Sequence, residues 1–234
     1  IQAVWNYKSL LSIGFCFAIS PTGKKLFKSP EKRKDFLNRH LTFFNAHPYL
    51  SSYVLGAISR IEEDLAEQDN PDYNIIDRFK NALIGPLGAI GDQLFWATLK
   101  PGSILIGLIG VIILQDIYSK IIFIIVILIM YNIPHIYIRI FGIYEGYKHG
   151  FDVYKVINEK KYKLMQKIYG IMGTIALGVY MGFSLLKYGS TDLISAGFFL
   201  FGIVLAFIMI KLKQNVYNSI LLPLLIGTVI GFLV

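Results

Sequence analysis

The chain has 234 residues, of which 55% are hydrophobic and only 16% charged, with a net charge of +8 and a mean hydropathy of +0.56. A soluble domain carries about 25% charged residues, so a water-soluble globule is excluded, and a bilayer accounts for the basic excess through the bias of cytoplasmic loops towards Lys and Arg. No RNP-like, helix-turn-helix or zinc-finger pattern accompanies the charge, so no nucleic-acid partner is expected, and Cys16, the single cysteine, excludes an internal disulfide or a cysteine-rich metal site.

In chain order, Trp5 and Tyr7 precede an apolar run from Leu10 to Ile19. That run is shorter than the roughly 20 residues a crossing needs, and aromatic residues at its start suit an interfacial position. The start also lacks a basic n-region and a small-x-small site, so no cleavable signal is expected. Because residue 1 is Ile rather than Met, a short upstream tail is expected to be missing. Ser29-Pro30 reads as a helix start, with Ser as N-cap and Pro in the first turn. Phe36, Leu37, His40, Leu41 and Phe44 share one face there, and Lys32, Arg33, Lys34 and Arg39 cover much of the rest. Such a helix suits an anionic membrane face or a partner, and equally a docked helix with a solvated charged face. After Pro48, Leu55, Ile58, Ile61 and Leu65 recur at helical spacing with Glu62, Glu63, Asp64 and Glu67 expected opposite, until Asp69-Asn70-Pro71-Asp72 breaks the pattern.

Residues 81–133 form a Gly/Pro-broken segment and a membrane hairpin. Gly85, Pro86, Gly88 and Gly91 argue against a continuous regular helix, although their flanks are apolar. Irregular backbone at bilayer depth must be buried in protein or line a wet cavity. Asp92 and Gln93 end this stretch beside Phe95 and Trp96. A carboxylate, an amide and an aromatic ring together offer what a sugar binds: polar partners for hydroxyls and a flat apolar face. The structural alternative has Asp92 capping a helix from Gln93 to Leu99. Asn45 and His47, just before Pro48, either present polar groups at a helix end or serve capping and packing. His40 and His47 lack the spacing and intervening carboxylate of a zinc motif, so no metal and no other cofactor is expected.

Ile104–Leu114 and Ile121–Met130 are apolar runs, each short for a crossing and separated by Gln115–Lys120, which suits a hairpin or two tilted helices. Asn132, His135 and Arg139 share a helical face, with Glu145 a candidate partner for Arg139. Snorkelling is the expected role of Arg139. Residues 134–167 read as a polar cytoplasmic loop and helix. Residues 168–234 hold about three membrane-length runs, Ile168–Leu186, Ile194–Ile210 and Ser219–Val234, with Gly178/Gly182 and Gly227/Gly231 as small-residue contacts. Residues 1–80 supply amphipathic helices at the cytoplasmic face. The fold class is therefore an all-α integral membrane protein, multi-pass, with a cytoplasmic N-terminus.

Several motifs resemble the IID component of mannose/fructose/sorbose-type phosphotransferase systems. They are Trp5-Asn6-Tyr7 with Gly14-Phe15; Arg39-His40-Leu41 with Phe43-Phe44-Asn45 and Pro48; Gly85-Pro86-Leu87 with Gly91-Asp92, Phe95-Trp96 and Pro101; and Asn132, Arg139, Gly142, Gly146-Tyr147 and Gly150. They follow the family's order over the first 150 residues or so. Gln93 departs from the family's usual Pro or Ser, and His135 from its frequent Arg. The resemblance implies a bacterial cell-membrane subunit that pairs with a IIC membrane subunit, as a trimer of IIC–IID pairs. It further implies a hexose carried inward by an elevator-like movement and phosphorylated by a phospho-IIB (IIAB) partner. The subunit itself would be neither enzyme nor phosphocarrier. The alternative is a membrane scaffold or receptor of the same fold without transport. Asn45, His47, Asp92, Gln93 and Trp96 are the candidate sugar-path residues.

Overall fold

The computed structural model describes residues 1–157 and 159–188, together with positions 197, 201, 204 and 208. Among these, every regular element is helical: α1 (Ser12–Leu26), α2 (Pro30–His40), α3 (Ser51–Ala66), α4 (Asn74–Gly91), a π-helical segment (Asp92–Leu99), α5 (Lys100–Ile113), α6 (Ile117–His149), α7 (Val153–Val156) and α8 (Glu159–Tyr188). The chain divides into two compact units, Ile1–Ala176 and Leu177–Val234. The described part of the second unit is the end of α8 and the four isolated helical positions. The Ile194–Ile210 span keeps only those four positions. The Ser219–Val234 span and the Gly227/Gly231 pair lie outside the described residues. A Cβ at Gly178 or Gly182 would have no described atom within 4 Å.

The first unit is built around α3, whose longest contact is with α6. The approach is close enough that glycine is required on both sides. A Cβ on Gly56 would lie 2.1 Å from the Ile143 carbonyl oxygen, and one on Gly146 2.2 Å from that of Tyr53. Ser52 Oγ seals the junction by donating to the Ile138 carbonyl at 3.1 Å, and Tyr53 and Tyr162 share a buried hydroxyl–hydroxyl bond of 2.9 Å. The core continues through Phe15 and Ile19 of α1, Phe36 of α2 and Leu87 of α4, all fully buried. Cys16, expected as a small packed hydrophobe, is buried too.

Three expectations from the sequence are corrected. The helix does not break at Gly85–Gly91: α4 runs through Pro86 and continues via the π-helical segment into α5. Gly85 and Gly88 face open space, and one proline removes one backbone hydrogen bond, so the wider turn just beyond absorbs the irregularity without ending the helix. Second, Glu62 is not on the solvated side of α3 but fully buried. Arg39 reaches it with Nε and Nη2, both at 2.6 Å, and His40 Nε2 lies 2.9 Å from the same carboxylate. The Glu62 carboxylate, the Arg39 guanidinium and His40 Nε2 thus pair beneath α2, while His40 Nδ1 is buried without a partner among the described residues. The Glu62 carboxyl, which burial alone would raise, is held below its ordinary value by hydrogen bonds from Arg39 and His40. Third, α2 stops at His40, leaving Leu41 half exposed and Phe44 buried from the following loop. Ser29 stands at its N-cap without capping a backbone amide; its hydroxyl donates to Glu31 at 2.5 Å instead.

Residues 104–133 form a helix–turn–helix pair. Asp116 caps α6 by accepting from the Ser119 amide at 2.8 Å, and Gly110 makes room for the Phe123 ring. Residues 134–167, expected as a polar loop and helix, are mostly helical where described, with α6 reaching His149 before Gly150 turns the chain at φ +52°. Glu145 pairs with His149 at 3.3 Å rather than with Arg139, whose guanidinium lies 4.4 Å over the Tyr49 ring. Two helical stretches, Asn74–Ile113 and Ile117–Val156 (the second turning at Gly150), each 40 residues, are long and apolar enough to cross a bilayer. On α6, Ile121, Ile122, Ile125, Ile129 and Ile133 are exposed. An apolar surface of that extent is stable only against lipid or another protein.

Candidate functional site

The loop between α2 and α3 and the α4–π junction are brought together by packing that the local sequence does not announce. Tyr49 and Phe95, 8% and 0% exposed, meet edge to face at 4.7 Å and clamp the Asn45–Pro48 loop against the helix. Leu10, at φ +53°, and Leu11 bring the N-terminal segment to the same place, since the Leu11 amide donates to the Phe44 carbonyl at 2.9 Å. Between these elements lies an open cleft of about 200 Å³ lined by Gln2, Trp5, Asn45, His47, Asp92 and Trp96, with Pro48 and Gly88 among its remaining walls.

Four of the five candidate residues therefore share one cleft. Gln93 does not: it is exposed on the next position of the π-helical turn, and its carbonyl accepts from Thr98 Oγ1 at 2.7 Å. Asp92 is exposed and continues the helix instead of capping a new one. Trp96 is partly exposed, with Lys100 Nζ 5.0 Å from its ring centroid. Asn45 is exposed. His47 is 1% exposed, stacked on Phe95 with centroids 5.0 Å apart and planes within 14°. Burial, and secondarily the charge of Arg139, push its pKa down to about 4, so the ring is neutral at physiological pH.

Nothing in the local sequence marks Gln2 and Trp5 as cleft residues. They stand some forty or more positions from Asn45 and Asp92, and only the docking of the N-terminal segment against Phe44 delivers them. The cleft presents a carboxylate, two amides, a neutral imidazole and two indoles. That set suits a neutral polyhydroxylated ligand, whose hydroxyls need both donors and acceptors and whose C–H faces pack on aromatic rings. Among the described residues, no group of three or more metal-ligating side chains is present.

Residues 1–234 match the family described as the PTS system mannose/fructose/sorbose family IID component. The chain is 29% identical over 178 residues to the mannose-specific EIID component of Escherichia coli K12, covering 76% of this chain and 61% of that protein. It is 26% identical over 174 residues to the fructose permease IID component of Bacillus subtilis, covering 74% and 62%. With the sorbose-specific EIID component of Lacticaseibacillus casei it shares 31% identity over 189 residues, covering 80% and 63%. A cryo-EM structure of the mannose transporter ManYZ with microcin E492 is similar at a TM-score of 0.57 and 29% identity, over 80% of this chain and 65% of that one. A second, described as a structure of a membrane protein, gives 0.64 and 28%, over 76% and 64%. The chain spans a little over three-fifths of the length of the relatives it matches, at 61% and 63% for the two cited first and last.

Proposed function

Because this chain belongs to the mannose/fructose/sorbose family of phosphotransferase-system IID components, we propose that it is the IID half of a sugar permease that binds a hexose in the cleft between the Asn45–Pro48 loop and the π-helical turn. Two membrane-length helical stretches and an all-helical described fold fit a membrane transport subunit. The observation that carries the reading is the convergence of Asn45, His47, Asp92 and Trp96, from separate parts of the chain, on one polar and aromatic cleft. In this proposal a IIC subunit covers the exposed apolar surface of α6, and IIC–IID pairs assemble in threes. The hexose moves inward by an elevator-like displacement, and a phospho-IIB domain phosphorylates it. The protein then lies in the bacterial cell membrane, multi-pass, with its N-terminus in the cytoplasm. The solved mannose transporter among its relatives supports a partnered permease.

The direct test is to co-express the chain with a IIC partner and IIAB and to follow labelled mannose and fructose into membrane vesicles. Asp92→Asn is expected to lower uptake at least about tenfold, the scale of one hydrogen bond to a charged group, while co-purification with IIC is unchanged. Wild-type uptake in that variant removes Asp92 from the sugar path. A scaffold without transport would assemble with IIC and accumulate no phosphorylated sugar.

A second expectation concerns the basic edge formed by the end of α1 and the start of α2. Lys24, Lys28, Lys32 and Lys34 are exposed, whereas Arg33 is engaged with the Phe27 carbonyl at 2.6 Å. This edge is proposed to steer an acidic surface of IIB. Lys32→Glu with Lys34→Glu should weaken IIB association several-fold at low salt, with the difference shrinking as salt rises. Equal affinities for the two proteins at every ionic strength would refute the steering role.

A further inference from the structure

We infer that His47 is a hydrogen-bond donor of fixed tautomer, presenting Nε2–H to an oxygen of the hexose, and that Gly91 is the residue that positions it. The inference rests on the reading of the cleft as a hexose site and adds a residue and a polarity to it.

The tautomer follows from the backbone. The Tyr49 amide donates to His47 Nδ1 at 3.3 Å, and a neutral imidazole that accepts at one nitrogen carries its proton on the other. The orientation follows from the rings. Besides the stack on Phe95, Tyr49 meets the imidazole edge-on at 5.0 Å and 81°, and Trp96 lies tilted at 5.3 Å, so the ring has no freedom to turn. The near side of His47 rests on the helix backbone: a Cβ built on Gly91 would fall 2.2 Å from His47 Cβ and Cγ and 2.8 Å from Nδ1. Nε2, across the ring from Cγ, therefore lies on the side away from Gly91.

Nε2 is buried and meets no hydrogen-bonding partner among the described residues, and of the buried atoms in that condition it alone belongs to a residue lining the cleft. A buried donor left without a partner carries the cost of its lost hydration. A ligand that completes the bond recovers that cost. Across the same cleft, Asp92 offers an acceptor. A hydroxyl can accept from an N–H such as that of His47 and donate to a carboxylate such as that of Asp92, which an ammonium group cannot do.

The test uses the complex of this chain with its IIC partner and measures binding of labelled mannose and fructose. Competition then follows with deoxy analogues of the better-bound sugar, one for each hydroxyl. In the wild type, one analogue is expected to bind about tenfold more weakly than the parent. His47→Phe keeps the stack and removes the donor, so the parent should weaken about tenfold and the discrimination at that one position should vanish, with the rest of the profile unchanged. Gly91→Ala, whose methyl would meet His47 Cβ and Cγ, should lower hexose affinity at least as strongly by displacing the ring together with its loop. In the Gly91→Ala/His47→Gly double variant, which removes Cβ and the ring alike, the clash is gone, so Gly91→Ala should add no loss to that of His47→Gly. A His47→Phe complex that retains the full deoxy profile, beside an Asp92→Asn complex that loses affinity, overturns this inference and leaves the cleft standing. Normal binding in His47→Phe, Asp92→Asn and Trp96→Ala alike, or no hexose binding by the wild-type complex, overturns both.

Discussion

Gly146→Ala is expected to cost at least about 3 kcal/mol and to abolish stable accumulation of the subunit in membranes. Added methylenes in a packed interior cost about 1–3 kcal/mol when side chains can yield. Here the new methyl group would sit 2.2 Å from the Tyr53 carbonyl oxygen and 2.9 Å from the Ala57 amide nitrogen, and backbone of a packed helix does not yield. Gly142 meets Ser52 Oγ at 2.2 Å by the same construction, so α3 and α6 would have to separate along their whole contact. The internal control is Gly85→Ala. A Cβ there meets nothing within 4 Å, and replacing a helical glycine by alanine stabilises by up to about 1 kcal/mol. Thermal unfolding of the detergent-solubilised subunit distinguishes the two. Indistinguishable midpoints for Gly146→Ala and Gly85→Ala would refute the account of the α3–α6 junction.

Glu62→Gln is expected to cost about 3–5 kcal/mol, the range for removing one member of a buried ionic cluster. The amide keeps the shape but strands the Arg39 guanidinium, which is otherwise packed 4.0 Å over the Tyr73 ring and only 17% exposed in its side chain. The same cluster sets an acid limit. Burial pushes the His40 pKa below its ordinary 6.5, so the unfolded chain takes up that proton before the folded one, and stability declines as pH falls from about that value. Glu62 is lowered from 4.5, so its contribution is complete above that pH and is lost as pH falls through the lower folded value. Both trends run the same way. Glu62→Gln should remove the more acidic part of the decline, and midpoints measured across the acid range for both proteins check it. A double-mutant cycle with Arg39→Gln should show strong coupling, because each single change leaves the other partner buried. Additive losses would mean that the pair contributes nothing jointly.

The sequence carried the membrane assignment and most of the helices, because both rest on signals local to a stretch of chain: hydropathy over about 20 residues, and apolar positions recurring at helical spacing. The pairing of Ile104–Leu114 with Ile121–Met130, the end of α3 at Ala66, shortly before Asp69-Asn70-Pro71-Asp72, and Pro30 in the first turn of α2 were all legible this way. Of the five candidate residues picked out near Gly and Pro, four line one cleft.

What local pattern did not hold is whatever a residue meets from elsewhere in the chain. Glu62 reads as solvated because its neighbours Glu63 and Asp64 are charged; it is buried because Arg39 and His40 arrive over it from α2. Gly85 and Gly88 read as helix breaks, yet a glycine weakens a helix by only about 1 kcal/mol, less than the packing of Leu83, Leu87 and Phe95 supplies. Gln93 and Asp92 are neighbours in sequence, but the π-helical turn sends only Asp92 to the cleft. Trp5 and Gln2 reach the cleft because Leu11 pairs with Phe44. Composition and periodicity therefore determined the solvent and the secondary structure, since each depends on free energies summed within one segment. The buried charge cluster, the glycine-tight α3–α6 junction and the shape of the cleft were decided by tertiary structure, since each exists only where segments far apart in the chain exclude water from one another.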